Sequence, residues 1–289
     1  MLATVFGLSA CGGDSDQTSP PDAPVSQTRV IFSPATREFP IPNDFLFTTD
    51  GTLNAGTDPS NPVITGLDAL DGASVLAPWD LTLNGSLDPT QTLDAANFIA
   101  VGASVIPNPN QNVFLLPLTY PGGDGLRQAS SDSGISLEVP TFAEAVAYQT
   151  AAATLDLATL AELASPTIRA DVLSLDDGEN NVLRLNPLKP LAPKTKYLVI
   201  VTDLDDSYGN PVLPSSSYEI LSDPTADLAA YGATFAGLAP VKAAVEGWER
   251  LASGYFGFMQ SVYDAAELDF NSPSINDVIF TITFTTGGT

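Results

Sequence analysis

Only a few residues of this 289-residue chain have types and spacings that could do chemistry. Cys11 is its sole thiol, so an intramolecular disulfide is excluded and the sulfur is left for acylation or for burial. The run Asp203-Leu204-Asp205-Asp206-Ser207-Tyr208-Gly209-Asn210 gathers hard oxygens that could face calcium. Its spacing departs from the EF-hand loop and has no closing glutamate, and a tight turn explains the same residues, so no metal is assigned to it. Asp176, Asp177 and Glu179 form a weaker cluster of the same kind. The chain has no histidine, which removes a Ser-His-Asp triad, a Cys-His pair and any imidazole metal site from its own repertoire. No G-x-S-x-G elbow or phosphate-binding P-loop is present. Carboxylate-only chemistry survives that test, but 34 acidic residues make too many chance pairs for one to be singled out. No catalytic residue, metal or cofactor is assigned.

Ten Lys and Arg stand against 34 Asp and Glu, a formal charge of −24. So few cations in so negative a field exclude phosphate-backbone recognition, so no nucleic acid is expected, and disfavour unaided adsorption to anionic lipid. Hydrophobic residues make up 44% of the chain, enough for a sizeable core. Excess carboxylate also keeps a protein soluble in salt.

Residues 2–10 form a short apolar run ending Leu8-Ser9-Ala10 before Cys11, and Gly12-Gly13-Asp14 follow. This resembles a bacterial lipobox, in which small residues admit the signal peptidase and the cysteine, once diacylglycerylated, becomes the mature amino terminus. The run lacks a positively charged leading region, and Met1 reads as a late start. Residues 1–10 are then a signal-peptide remnant and Cys11 the lipid attachment site. Gly12 rather than Asp after the cysteine resembles the sorting rule of Gram-negative lipoproteins, which implies an outer-membrane lipoprotein. No stretch of about 20 apolar residues exists, so the membrane is reached by the lipid anchor alone. Residues 11–28, rich in Gly, Ser, Asp and Pro, read as a tether.

From residue 29 onward, short apolar or alternating runs recur between Asn, Asp, Gly and Pro clusters. They predict strands at 29–32, 79–84, 98–101, 113–119, 135–139, 172–175, 182–185, 196–202, 218–221 and 278–285. Turns with positive φ are expected at Asp176-Asp177-Gly178 and Tyr208-Gly209. Helical spacing appears at 141–164 and 241–266. In the second, Val245, Trp248, Leu251, Tyr255, Phe258, Met259 and Val262 make one apolar face. That stripe is read as a helix packed on a sheet, with contact to a membrane surface as the other reading. The fold class expected is mainly β, an Ig-like β-sandwich with helical insertions.

The runs Phe39-Pro40-Ile41-Pro42-Asn43-Asp44-Phe45-Leu46-Phe47, Asp50-Gly51-Thr52-Leu53-Asn54 and Leu67 to Ser74 with Ala77-Pro78-Trp79 carry a family resemblance. They resemble the amino-terminal domain of the bacterial virulence-factor lipases. Ser86-Leu87-Asp88-Pro89 and Leu185-Asn186-Pro187-Leu188-Lys189-Pro190-Leu191 are similar to bacterial Ig-like modules. The likeness spans 29–285 and implies a surface lipase or lysophospholipase whose β-rich first domain precedes an α/β-hydrolase domain. The final strand followed by 286–289 then reads as the start of a linker to that domain, which is the expected partner. No catalytic residue of the family has a counterpart here.

The aromatic strip 39–47 is read as a plug for one end of the sandwich, or else as a docking surface for the following domain. The function expected is a non-catalytic amino-terminal lipase domain. The alternative is a stand-alone surface lipoprotein that binds a partner through its loops, since an Ig-like fold does not choose a function.

Overall fold

The computed structural model describes residues 28–47, 60–68, 70–120 and 139–288. Cys11 with its leader and tether, residues 50–54 and positions 135–138 of the expected strand 135–139 lie outside the described residues.

The described elements run α1 Pro62–Asp68, β1 Trp79–Thr82, β2 Phe98–Val101, β3 Ser104–Pro107, β4 Val113–Thr119, β5 Thr141–Phe142, α2 Ala143–Thr154 and α3 Leu157–Leu163. They continue with β6 Ile168–Leu173, β7 Val182–Pro187, β8 Lys196–Thr202, α4 Ser216–Ser222, α5 Ala233–Ala236, α6 Ala239–Ala265 and β9 Val278–Thr285. The result is a mixed α/β fold with three open antiparallel sheets, ordered β5-β4-β8-β9, β1-β7-β6 and β2-β3. Helix is more prominent than a mainly β reading allows, because α6 is itself a wall of the core.

The four-stranded sheet is central to the packing. Every residue of β8 and β9 is buried, the mark of strands covered on both faces. Val113, Val201 and Phe280 share one face by register, and Phe114 and Ile200 the other. Against the first face Trp79 of β1 stacks on Phe280 with ring centroids 6.4 Å apart. Against the second, Phe114 meets Tyr255 and Phe256 of α6 at 6.1 and 5.6 Å. The apolar stripe of α6 therefore serves the core, as the packed-helix reading expects.

The three-stranded sheet alternates with period two. Trp79, Leu81, Leu183, Leu185, Ile168 and Ala170 point inward and are buried. Its outer face carries Asp80 paired bidentately with Arg184 at 2.7 and 2.6 Å, and Asp171 bonded to Arg169 and Asn186. Its β6-β7 connection has Asp176 and Asp177 at φ +51° and +63°, so the aspartates rather than Gly178 supply the left-handed turn. Gly209, at φ +76°, does so in the later turn.

The structure corrects four expectations about elements. Residues 29–32 form only isolated bridges, Arg29 to Leu213 and Val30 to Leu83, rather than a strand. Residues 218–221 are helical, within α4, because the Ser215 hydroxyl accepts from Tyr218 N at 3.0 Å and caps the turn. The β-rich side chains of Tyr218 and Ile220 do not outweigh that cap. The expected strand 172–175 begins earlier, at Ile168, and ends at Leu173. The single helix 141–164 is two, broken where Leu155 takes φ +55° and Asp156 caps α3 through Ala158 N and Thr159 N. Leu155 is 79% exposed, so its left-handed backbone is not repaid by burial. Leu155→Gly should therefore raise stability by about 0.5–1 kcal/mol, seen as a higher Tm.

Candidate functional site

The amino-terminal strip is built into the core. Phe39 and Phe45 pack at 5.6 Å, and Phe45 continues to Trp248 of α6 at 5.4 Å. The fully buried Asn43 donates to Pro40 O at 2.7 Å and accepts from Phe45 N at 3.0 Å. Trp79 Nε1 donates to Pro42 O at 3.2 Å. Asp44, one residue on, places Oδ2 2.9 Å from Nζ of Lys196 on β8. This favours the plug reading of the strip, while Ile41 stays 67% exposed at its outer side.

Next to this clasp lies a cleft of about 580 Å³ between the end of β4, the start of α2 and the segment entering β8. Three of the chain's four lysines, Lys189, Lys194 and Lys196, line it. Glu144 and Glu162 line it too, so the lining is mixed in charge. Lys194 is ion-paired with Asp71 and Lys196 with Asp44, whereas Lys189 is exposed at the rim.

Glu144, at the first turn of α2, also lines the cleft. Its Oε2 accepts from Asn97 Nδ2 at 2.5 Å, and Gln111 Nε2 donates to Asn97 Oδ1 at 2.7 Å and to Val113 O at 3.0 Å. Burial raises the Glu144 pKa, while Asn97 and Lys189 pull against that shift. Beside it the Tyr197 hydroxyl accepts from Ala192 N at 2.9 Å, and burial pushes its pKa up to about 12. The cleft thus offers cations, a desolvated carboxyl and half-apolar walls of Leu115, Pro117 and Leu191. Such a set holds a polar group in place.

The acidic run 203–210 does not converge. Asp206 is fully buried, and its Oδ1 accepts from Tyr208 N and Asn210 N, both at 2.9 Å. Asp205 is engaged through its backbone with Gln91 and Asp88. Burial raises the Asp203 pKa, with Asp277 and Asp205 adding to the shift. Among the described residues no group of three acidic or thiol side chains is arranged to hold a metal, and no described helix is long and apolar enough to cross a membrane.

Sequence reasoning missed the cleft, Glu144 and the Asp44–Lys196 pair. One signal was there to find: three of four lysines fall within residues 189–196.

A second ionisable group is perturbed away from the cleft. Glu249 of α6 is hydrogen-bonded to the buried Tyr218 hydroxyl, which also lies 2.7 Å from Thr281 Oγ1. Burial pushes its pKa up to about 7, with Glu246 reinforcing the shift. The folded state therefore holds the proton more tightly than the unfolded chain. Stability is greatest below the ordinary carboxyl value, declines as pH rises through the window up to about 7, and carries the full penalty above it. Glu249→Gln, neutral at every pH, should raise Tm by a few degrees at pH 8 and leave it unchanged at pH 4. Thermal melts at the two pH values check this; an equal shift at both would remove the titration from the explanation.

No family model, curated protein or solved structure matches the chain.

Proposed function

We propose that the chain is the non-catalytic amino-terminal part of a surface-anchored bacterial lipase or lysophospholipase, supporting and positioning a downstream serine-hydrolase domain. Its two larger sheets are read as the halves of an Ig-like β-sandwich. The observation that carries the family reading is where the resemblance falls. Pro40, Pro42, Asn43, Asp44 and Trp79 are residues of the runs that carry the resemblance, and they interlock with one another and with β8 through side chains. A likeness concentrated on one interdependent unit is harder to produce by chance than one scattered over the surface. The sandwich reading is supported by the Trp79–Phe280 stack and by the single buried cluster that both sheets share.

On this reading Cys11 carries the lipid, the protein resides at the outer membrane, and residues from elsewhere supply the serine, histidine and oxyanion hole. The test is to follow the native reading frame past the codon for Thr289 and assay the whole product on a p-nitrophenyl ester. Hydrolysis by the whole product, lost when its elbow serine is replaced by alanine and absent from residues 1–289 alone, is the expected result. A stop codon directly after Thr289, or a product without a serine elbow, overturns it. In cells, Cys11→Ala should move the protein from the membrane fraction to the soluble fraction, read by fractionation and blotting.

The lysine-lined cleft is the observation that favours the second reading, a stand-alone surface binding module. The stop codon that would sink the first reading is the result this one expects.

A further inference from the structure

Lys196 and Asp44 are each only 3% exposed at the side chain. Residues of these types are seldom withdrawn so far from water unless joined to a partner, because each charge loses most of its hydration. Nζ stands 2.9 Å from Oδ2, yet neither carboxylate oxygen of Asp44 receives a hydrogen bond. The nitrogen is therefore in contact with the carboxyl group but off the direction in which an ammonium ordinarily donates. Both backbones are held. Lys196 pairs with Leu118 on one side and Thr285 on the other, and Asp44 follows the doubly bonded Asn43. The Tyr120 ring, its centroid 5.9 Å from Nζ, adds an aromatic wall.

We propose that Lys196 and Asp44 are joined by an intramolecular isopeptide bond between Nζ and the side-chain carboxyl carbon. For the bond to form, one proton passes from the ammonium to the carboxylate, leaving an amine and a carboxylic acid. The nitrogen lone pair then attacks Cγ, forming the C–N bond. The tetrahedral adduct collapses by breaking one C–O bond, and that oxygen leaves as water with one hydrogen from the acid and one from the nitrogen. The amide retains one N–H and one C=O, and no oxidant or reductant is needed. Fixing the two groups at this separation replaces the concentration that an intermolecular condensation would require. Lys196 and Tyr120 both border the cleft, which gives the released water a way out. The proposal is independent of the lipase reading, since it needs only the geometry of the folded chain.

The experiment is the denatured intact mass of the purified full chain, measured beside its Lys196→Arg variant, followed by protease digestion and fragment sequencing by tandem mass spectrometry. The expected result is a wild-type mass below its sequence value by one water relative to the variant, with a branched peptide joining the fragments that contain Asp44 and Lys196. A wild-type chain at its full sequence mass overturns the proposal and makes the pair an ordinary buried ion pair. A lost water without the branched peptide also overturns it, because Asp-Gly sequences such as Asp71-Gly72 can dehydrate on their own. If the variant fails to fold, the wild-type branched peptide alone decides.

Discussion

Asp44→Ala should destabilise the protein by about 3–5 kcal/mol, because it leaves Lys196, only 3% exposed at the side chain, without its carboxyl partner. The same replacement leaves the polar contacts of Asn43 intact, so a loss of this size cannot be assigned to the neighbouring turn. Chemical denaturation of the single and double variants separates the contributions. Asp44→Ala combined with Lys196→Met removes both charges and should recover part of what Asp44→Ala loses. A double variant no better than the single one would mean that charge burial is not the cause and that the lost linkage to the strip dominates.

Trp79→Ala should have an effect of similar size, about 3–5 kcal/mol, as expected for removing a large aromatic side chain from a core. Trp79 is 2% exposed, its ring stacks on Phe280, and its indole N–H is spent on Pro42 O. Trp79→Phe keeps most of the packing and loses the hydrogen bond, so it should cost only about 1–2 kcal/mol. The informative measurement is the double-variant cycle with Phe280→Ala. A coupling well above about 0.5 kcal/mol is expected for residues in contact, and its absence would count against the sandwich reading of the two sheets.

The strands were legible where burial is two-sided or alternation is clean. β4, β8 and β9 carry long apolar or β-branched runs and appear at the residues expected. Tyr218 to Leu221 misleads because an aromatic and β-branched composition is a statement about packing, and a single capping hydroxyl from Ser215 decides the backbone instead. The break at Leu155 was hidden because leucine is an unusual residue for a left-handed helix end, where glycine would have announced it. The cleft was beyond local pattern altogether. Glu144, Asn97 and Lys189 are brought together from three separate regions of the chain, the start of α2, the residue before β2 and the connection from β7 to β8. The lysine cluster was visible as composition, but its meaning depends on Asp44, far earlier in the chain.

The position of β9 beside β8 has a consequence for the chain as it leaves the ribosome. β8 is hydrogen-bonded to β4 before it and to β9 after it, and Phe280 of β9 meets rings from three distant regions, those of Phe32, Trp79 and Tyr218. Until residue 285 has emerged, β8 lacks one neighbour and those three rings lack the side chain they close upon. Nascent pieces shorter than this expose a long apolar edge of β8. Cooperative folding of this unit is then timed by the appearance of β9.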